Sequence, residues 1–364
     1  MKPVVAFLVN GSPDSGVGIR AHEFSERLQE DFESTVAYRS EQKIRSIWTF
    51  WRLLADTRPA VCYVVDMGYS GVLAATIYRI LGRGRVIVDT GDAISELARL
   101  TGRGTLKLWM TRLLERLSLR ISDGIVVRSH FHQKWLAQRG FPSQVIPDGV
   151  DTTQFTPLPD NGMRQKLGLD GFTTIGVLGS IIWNQHSRTC YGWELVELIR
   201  ILHDKPVRGI IVGDGSGIPQ LKKRCVEYGI EDRIIFLGRI PYASLPPILN
   251  LMDICLSTQT NDLAGQVRTT GKLPLYLACG KFVLASDVGE ASLVLPHEMR
   301  VPYQGSYDEL YPQKLAERVC KLLGRLALLK SEAQQVSIAE KHFEYSILGR
   351  HLQESITLML DRPV

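Results

Sequence analysis

The sequence lacks several patterns that would place it in a specialised class of protein. Its 364 residues include six cysteines, none of them paired as CxxC, which excludes a zinc ribbon or a thioredoxin-type motif and is typical of thiols in a reducing cytoplasm. No apolar run approaches the roughly 20 residues that a membrane span requires. The chain has no internal repeat and no low-complexity tract. Its composition, 45% hydrophobic and 22% charged, is that of a globular protein and excludes disorder and fibrous architecture.

The order of apolar runs predicts the fold. In the first part of the chain such runs alternate with amphipathic helical stretches, and the predicted buried strands are Val4–Val9, Ala60–Val65, Arg85–Asp89 and Gly124–Val127. After a polar stretch, Thr156–Asp170, the alternation resumes with Thr173–Leu178, Gly209–Val212, Arg233–Leu237, Asp253–Leu256 and Phe282–Ala285. This βαβα order is typical of doubly wound α/β sheets, so we expect two Rossmann-like domains.

Domain bounds follow from the same pattern and from the chain length. We expect a first Rossmann-like domain over residues 1–160 and a second over residues 171–345. Residues 346–364 are expected to form a C-terminal helix, with a return of this helix to the first domain left open. The first ten residues lead directly into a glycine loop, as a first strand does, so we expect no signal peptide.

The net charge of +5 comes entirely from the N-terminal part of the chain. Residues 1–150 hold 20 Lys+Arg and 15 Asp+Glu, and the remaining 214 residues hold 23 of each. The excess is densest in two stretches that also contain tryptophan, residues 39–52 and residues 103–120. Cationic helices with tryptophan at the polar boundary can lie on an anionic membrane. The alternative is that the apolar residues pack against the sheet and the arginines are solvated.

Two other kinds of partner are not predicted. Nucleic-acid binding has no recognised module to support it, and the overall charge is modest. His130 and His132 have no cysteine or carboxylate at ligand spacing, so no metal site and no cofactor are predicted.

Three glycine-containing segments are placed where a predicted strand leads into a helix. They are residues 10–18 with Gly16, Val17 and Gly18, residues 211–217 with Gly213 and Asp214, and residues 269–281 with Thr270, Gly271 and Lys272. Glycine lets the backbone approach a ligand, and helix N-terminal amides favour anionic groups, so such segments suit phosphates. None has the spacing of a dinucleotide fingerprint or of a P-loop, and a simple turn is the alternative for each.

Four segments together resemble the signatures of family 4, the retaining nucleotide-sugar glycosyltransferases with the two-domain GT-B fold. They are Ile121–Ser129 (ISDGIVVRS), Val145–Asp151 (VIPDGVD) with Phe155 and Pro157, Val212–Gly215 with Phe236–Arg239, and Lys272–Ala285. The segments fall in the family's order and at typical distances, so the resemblance covers most of the chain.

The resemblance implies two domains facing across a cleft. Residues 1–160 would form the acceptor-side domain, and residues 171–345 would form the nucleotide-sugar-binding domain that holds most of the donor. It places the base against Arg239 and Ile240, and the nucleotide near Gly213, Asp214, Thr270, Gly271 and Leu275. It places the diphosphate against Lys272, with Arg268 and the Gly16–Gly18 loop nearby. Cations and helix amides then stabilise the leaving diphosphate in place of a metal.

Three positions depart from the family pattern. The two glutamates that members carry eight positions apart are Val267 and Leu275 here, and a leucine cannot accept hydrogen bonds from ribose hydroxyls. Where many members have a histidine near the acceptor, this chain has Gly91, so Asp92 remains as the polar group there. The lysine expected after the first strand of the second domain is absent. Arg188 is its predicted substitute, with an ordinary surface arginine as the alternative.

The sequence therefore predicts a metal-independent, retaining transferase that moves a sugar from a nucleoside-diphosphate donor to a hydroxyl acceptor in polysaccharide or glycolipid assembly. Lys272, Arg268 and Asp92 are its predicted catalytic residues. A lipid-linked acceptor and peripheral contact with the inner face of the membrane stay open for a protein expected in the cytoplasm. The alternative is a catalytically silent GT-B protein that binds a sugar nucleotide or partners an active transferase. A GT-B epimerase would require catalytic carboxylates and histidines lining the cleft, and the sequence offers no convincing set.

Overall fold

The computed structural model divides the chain into two α/β domains, each with its own sheet and its own core. The structure describes residues 2–100, 102, 104–185, 187–325, 329 and 332–361. The first domain comprises Met1–Gly149, Gln266–Thr269 and Glu344–Val364. The second comprises Val150–Gly265 and Thr270–Phe343.

Each sheet has six parallel strands. Those of the first sheet are β1 (Val4–Val9), β2 (Glu33–Tyr38), β3 (Val61–Val65), β4 (Arg85–Thr90), β5 (Gly124–Val127) and β6 (Gln144–Val145). Those of the second sheet are β7 (Thr173–Leu178), β8 (Val207–Val212), β9 (Ile234–Gly238), β10 (Ile254–Ser257), β11 (Phe282–Ser286) and β12 (Arg300–Val301). The spatial orders are β2-β1-β3-β4-β5-β6 and β12-β11-β10-β7-β8-β9. The predicted class, two doubly wound Rossmann-like domains, is confirmed.

Helices connect the strands of both sheets. In chain order they are α1 (Gly16–Arg27), α2 (Lys43–Thr57), α3 (Tyr69–Ile80), α4 (Ile94–Leu100), α5 (Thr105–Ile121), α6 (His130–Ala137), α7 (Met163–Lys166), α8 (Trp193–Ile201), α9 (Ile218–Tyr228), α10 (Leu245–Leu249), α11 (Leu263–Val267), α12 (Lys272–Ala278), α13 (Ala291–Val294), α14 (Tyr311–Leu323), α15 (Glu332–Phe343) and α16 (Tyr345–Leu360). None of the described helices is long and apolar enough to cross a membrane.

The continuous apolar runs of the central strands have a direct structural reason. In β1, Val5 and Phe7 pack against α1 and α16 on one face of the sheet, whereas Ala6 and Leu8 pack against α2 and α3 on the other. A strand covered on both faces has no solvated side, so its residues are apolar throughout. All nine predicted strands are present, each with its ends within two residues of the predicted bounds. Eight of them lie inside their sheets, and the ninth, β9, is an edge strand that is apolar although mostly half-buried.

The three strands that the sequence did not predict are β2, β6 and β12, and each is at the edge of its sheet. The residues of β2 are half-buried or exposed, so they form no continuous apolar run. The other two strands have two residues each, which is too short for any periodicity to show. Partial solvation and shortness therefore explain what the apolar pattern missed.

The strand order reverses once in each sheet, between β1 and β3 in the first and between β7 and β10 in the second. Open α/β sheets bind ligands beside the carboxyl ends of the strands at such switch points, because the loops on either side diverge there. In the first domain these loops begin at Asn10 and Asp66, and in the second at Gly179 and Thr258. The fold thus offers one candidate position in each domain.

Candidate functional site

Lys272 lies beside the switch point of the second sheet, at the start of α12. Its ammonium nitrogen is 3.6 Å from the centre of the Tyr191 ring, which is a cation–π contact. A Cβ added to Gly179, the residue after β7, would be 3.4 Å from the same nitrogen. The Tyr191 hydroxyl donates a 2.8 Å hydrogen bond to the carbonyl of Leu256 in β10. These contacts hold a cation between the two strands at which the order reverses.

A carboxyl group shares this environment with Lys272. Glu194 lies in the first turn of α8 and is half-buried. Burial raises the pKa of Glu194 to about 7, although its own backbone N–H and the charge of Lys272 act in the opposite direction. The site therefore combines a fixed cation with a carboxyl that changes charge near neutral pH.

Neither Tyr191 nor Glu194 was predicted from the sequence. The signal available was the turn between them, where Gly192 has a φ of 93° just before the helix begins. A glycine between a loop and a helix, with polar side chains on both sides of it, is a pattern of ligand-binding turns. The sequence instead predicted Arg188 as the substitute for the absent lysine.

The glycines of the loop after β8 are explained by packing. A Cβ on Gly213 would lie 1.9 Å from the carbonyl oxygen of Gly179, and one on Gly215 would lie 2.3 Å from that of Ile181. Both glycines have positive φ, 133° and 148°. Asp214 is exposed, and its carboxylate accepts a 2.7 Å hydrogen bond from the N–H of Gly215. This loop therefore packs closely on the loop after β7, and contact of Gly213 and Asp214 with a nucleotide stays a prediction.

The segment that leads into α12 is tied to β10. The Thr270 hydroxyl lies 3.2 Å from that of Ser257, at the end of β10, and Gly271 is exposed. Since α12 has only seven residues, its dipole is short, and the charge of Lys272 dominates this end of the helix. Leu275 is 6% exposed within the hydrophobic core, so the position at which the family has a glutamate is occupied here by a core residue.

The remaining predicted residues of the second domain lie at its surface. Arg188 is exposed and has a φ of 52°, in a turn closed by the bridge between Asn184 and Thr189. Arg239 is exposed and Ile240 is half-buried against the core, directly after β9. Their contacts with a base or a phosphate stay predictions.

A cluster of buried charges lies at the carboxyl end of β4 in the first domain. The fully buried carboxylate of Asp89 accepts hydrogen bonds from Arg20 Nε at 2.7 Å, from the Tyr63 hydroxyl at 3.0 Å and from Arg128 Nε at 3.4 Å. Burial by itself raises the pKa of Asp89, but the charges of Arg20 and Arg128 outweigh it and hold the pKa below its usual 3.8. Arg20 also donates a 2.5 Å hydrogen bond to the carbonyl of Pro147, so the cluster joins α1 to the segment after β6.

The Arg128 side chain occupies the space beside Gly91. A Cβ added to Gly91 would lie 2.8 Å from the Cζ of Arg128, so the guanidinium fills the space that a side chain at position 91 would need. The same guanidinium lies 3.4 Å from Asp66, which follows β3 with a φ of 62°, and 3.5 Å from Asp148. Burial raises the pKa of Asp66 to about 6, which Arg128 opposes and the neighbouring carboxylates reinforce. A side chain at position 91 would therefore require the Arg128 guanidinium to shift.

Two of the predicted catalytic residues are paired with each other in the first domain. Arg268 Nε donates a 2.8 Å hydrogen bond to Asp92, and their side chains are 44% and 28% exposed. Two hydrogen bonds hold residues 266–269 on this domain. The Ser129 hydroxyl donates one of 2.6 Å to the carbonyl of Val267, and the Thr269 hydroxyl donates the other to the carbonyl of Arg128. The structure thus brings Asp92 and Arg268 together, and it places the third predicted residue, Lys272, in the second domain.

The loop at residues 10–18 follows β1 and caps α1. A Cβ on Gly18 would lie 2.2 Å from the carbonyl oxygen of Ser12, so closure of this loop requires glycine at that position. The Ser15 hydroxyl accepts a 3.2 Å hydrogen bond from the N–H of Gly18, which satisfies one of the amides at the start of the helix. Gly16 has open space around it and Val17 is half-buried. Contact of this loop with a diphosphate stays a prediction.

No group of three or more His, Cys, Asp or Glu side chains within the described residues is placed to hold a metal ion. His132 is 1% exposed and packs 5.8 Å from the ring of Trp135. Burial lowers the pKa of His132 to about 4. A neutral, buried ring of this kind is a structural feature of α6.

Part of the chain is similar in sequence to known glycosyltransferases. Residues 173–325 match the family described as "Glycosyl transferases group 1". The chain is 26% identical over 163 residues to the 2-deoxystreptamine glucosyltransferase of Streptomyces kanamyceticus, a region that covers 42% of this chain and 41% of that protein. It is 29% identical over 185 residues to LpsB of Rhizobium meliloti, a lipopolysaccharide core biosynthesis mannosyltransferase, with 48% of each chain covered. The matched region thus spans less than half the length of either relative.

The whole chain is similar in fold to a solved structure of HepE from Anabaena in complex with UDP and glucose. The TM-score is 0.76 at 15% sequence identity, with 98% of this chain and 100% of the other covered. At that identity the likeness concerns the fold alone. Together with the family match over residues 173–325, this likeness confirms the resemblance noted in the sequence: the second domain is similar to group 1 glycosyltransferases, and the whole chain has the GT-B fold.

Proposed function

We propose that the protein moves a sugar from a nucleoside-diphosphate donor to a hydroxyl acceptor, with retention and without a metal ion, in polysaccharide or glycolipid assembly. The observation that carries the proposal is the ammonium of Lys272, held on the face of Tyr191 at the switch point of the second sheet. The family match over the same domain supports it. LpsB, which acts in lipopolysaccharide core biosynthesis, supports a glycan or glycolipid product, and a lipid-linked acceptor is part of the proposal.

The chemistry requires a cation at this position. As the bond between the anomeric carbon and the leaving oxygen breaks, negative charge grows on the diphosphate, and a preorganised cation stabilises it in the transition state. The contact with Tyr191 fixes the ammonium in advance, so little reorganisation is needed during reaction. In the proposal, the acceptor oxygen forms its bond on the face that the diphosphate leaves, and the proton of the acceptor hydroxyl passes to the departing phosphate. No protein nucleophile is then needed.

Glu194 adds a pH dependence to this proposal. Its carboxyl is largely neutral below about pH 7 and largely ionised above it, because burial raises its pKa to about 7. An ionised carboxyl near Lys272 offsets part of the lysine's charge, so donor binding would weaken as the pH rises through neutrality. The cation is therefore most effective while Glu194 is protonated.

The test replaces Lys272 with alanine and measures donor hydrolysis and sugar transfer with UDP-glucose, UDP-galactose and GDP-mannose. We expect kcat to fall by about 10²–10³, the loss typical of removing one group that stabilises a developing anion. Lys222→Ala is the matched control, since Lys222 also lies over an aromatic ring of the second domain, 5.4 Å from the centre of Phe236, but is exposed on α9. Near-normal turnover in Lys272→Ala would remove the proposed role of this lysine.

A second candidate function has one observation in its favour. The two positions at which the family carries glutamates are the buried, apolar Val267 and Leu275, which are 0% and 6% exposed. A protein without those carboxylates could bind a sugar nucleotide, or partner an active transferase, without turnover. Thermal stabilisation by the same three donors with no hydrolysis would favour this binder, whereas measurable hydrolysis would favour the enzyme.

A further inference from the structure

Helix α5 directs its apolar side away from the first domain. At roughly 100° per residue, the side of the helix that faces the domain carries Thr111, Glu115, Ser118 and Leu119, all of them buried. The opposite side carries six large apolar side chains, each 40–70% exposed: Leu106, Trp109, Met110, Leu113, Leu114 and Leu117. Their spacing of three and four residues forms one continuous stripe. An ordinary surface helix has the reverse arrangement, with the apolar stripe inward.

The neighbouring helix extends this apolar surface. Helix α3 contacts both α2 and α5 on the same face of the first sheet. This helix and the residue that caps it expose four further apolar side chains, each by 41–76%: Leu73, Ile77, Ile80 and Leu81. Helix α2 adds Ile44 and Trp48, which are 84% and 65% exposed. We call these twelve side chains the docking surface. Monomeric soluble proteins rarely expose an apolar patch of this extent without a partner for it.

The charges beside the stripe have one sign. Lys107 lies on one flank of the helix, Arg112 and Arg116 lie on the other, and Arg120 lies at the C-terminal end of the stripe, all of them exposed. The one acidic residue of α5, Glu115, is buried on the inward side, where burial raises its pKa. The exposed charges of α5 are therefore all cationic.

We propose that the docking surface binds an anionic lipid bilayer, with α5 parallel to the membrane plane. The apolar stripe then lies among the outer parts of the acyl chains, and the flanking cations lie at the level of the headgroup phosphates. Trp109 and Trp48 are suited to this boundary, because an indole ring is apolar with one polar N–H. A second copy of the chain is a poorer partner, since its docking surface carries cations of the same sign. The contact is peripheral and uses no residue of the proposed donor site.

The test is co-sedimentation of the full chain with vesicles. The wild-type protein should bind vesicles of phosphatidylcholine with phosphatidylglycerol, bind pure phosphatidylcholine weakly, and lose binding as salt is raised. Leu106→Gln/Leu113→Gln/Leu117→Gln should weaken binding to the anionic vesicles by about tenfold or more, because three inserted side chains become polar. The matched control is Val226→Gln/Leu293→Gln/Leu310→Gln, three apolar residues of the second domain that are each 63% exposed, and it should bind as the wild type does.

Two further measurements distinguish loss of lipid binding from unfolding of the variant and from dissociation of a dimer. Donor hydrolysis or nucleotide-induced stabilisation in the α5 variant shows that the variant is folded, and it reports on the proposed function separately from lipid binding. Sedimentation velocity of the wild type and the variant detects a second copy. The proposal is overturned if the wild type does not bind anionic vesicles, if the folded α5 variant binds them equally well, or if the α5 substitutions dissociate a dimer while lipid binding is absent.

Discussion

Replacing Asp89 with asparagine changes one charge at the centre of the first domain with almost no change of shape. The carboxylate is fully buried between Arg20 and Arg128, and the Tyr63 hydroxyl also donates to it. An asparagine amide can accept from one or two of these donors, but its NH₂ group must face a guanidinium, and the two arginines lose their shared counter-charge. The expected effect is a large loss of stability confined to the first domain.

The magnitude follows from the partners that remain. Removing one member of a buried ion pair typically costs about 3–5 kcal/mol. Arg20 keeps its 2.5 Å hydrogen bond to the Pro147 carbonyl, and Arg128 keeps its contacts with Asp148 and Asp66. These partners compensate in part, so we expect a loss of about 3 kcal/mol, which is roughly a hundredfold in the unfolding equilibrium.

The assay is urea unfolding followed by peptide-resolved hydrogen exchange, since the two domains have separate cores. Peptides from β1 and β4 should lose protection in Asp89→Asn, and peptides from β8 and β10 should not. The pKa of Asp89 is lower in the folded state than its usual 3.8, so its stabilising effect is complete above that value and disappears as the pH falls further. The difference between wild type and variant should therefore be constant from neutral pH down to about pH 4 and shrink only below it.

Asp56→Asn is the matched control. Asp56 pairs with Arg52 at 3.8 Å, but both side chains are at least 70% exposed, so its removal should leave the unfolding midpoint unchanged. A loss of less than about 1 kcal/mol in Asp89→Asn at neutral pH would refute the reasoning, because it would show that the carbonyls and the other carboxylates satisfy both arginines. Equal loss of protection in both domains would also refute it.

Two further predictions concern pH. His132 has a pKa of about 4 in the folded protein, against its usual 6.5. The free energy of unfolding should therefore fall by up to about 3 kcal/mol as the pH drops from 6.5 to 4, because the unfolded chain binds the proton first. His132→Gln should remove this part of the acid sensitivity. Unfolding midpoints measured from pH 7 to pH 4 check this, and parallel curves for variant and wild type would contradict it. Glu194 has a pKa of about 7 in the folded protein, against its usual 4.5, so ionising it costs more in the folded state than in the unfolded state. Glu194→Gln should therefore stabilise the second domain by an amount that grows as the pH rises from 4.5 to 7. Above pH 7 this stabilisation should level off at no more than about 3 kcal/mol. A stabilisation by Glu194→Gln that is the same at pH 5 and pH 8 would show that the carboxyl is not perturbed.

Much of the fold was predictable because burial on both faces of a parallel sheet imposes a purely local pattern. The central strands are continuous apolar runs, and the turns that end them carry glycines at positions 18 and 213, where a Cβ would clash with a neighbouring carbonyl. The order of these runs determines two doubly wound sheets, and the sheets determine where ligands can bind. The edge strand β2 has no such pattern, since part of its surface is solvated.

The candidate site was only partly predictable, because its residues meet through the tertiary structure. Lys272 was predicted as a cation at a helix start, but nothing local indicates that Tyr191 lies beneath it, 81 positions earlier in the chain. Arg268 was predicted to meet a diphosphate, and the structure pairs it with Asp92, which is 176 positions away. Likewise, nothing local to Gly91 indicates that the Arg128 guanidinium lies where a side chain at position 91 would extend.

The sequence by itself determined which residues form the central strands of the two sheets and that α5 is amphipathic, because both depend on periodicity within one segment. Only the tertiary structure decided which charges are paired and which side of α5 faces the domain. Arg20 and Asp89 are 69 positions apart, and their pairing depends on how α1 packs beside β4. In the same way, periodicity shows that the leucines of α5 share one side, but the burial of Thr111, Glu115 and Ser118 is what places that side in solvent. A local pattern specifies the sides of an element, and only packing specifies what each side meets.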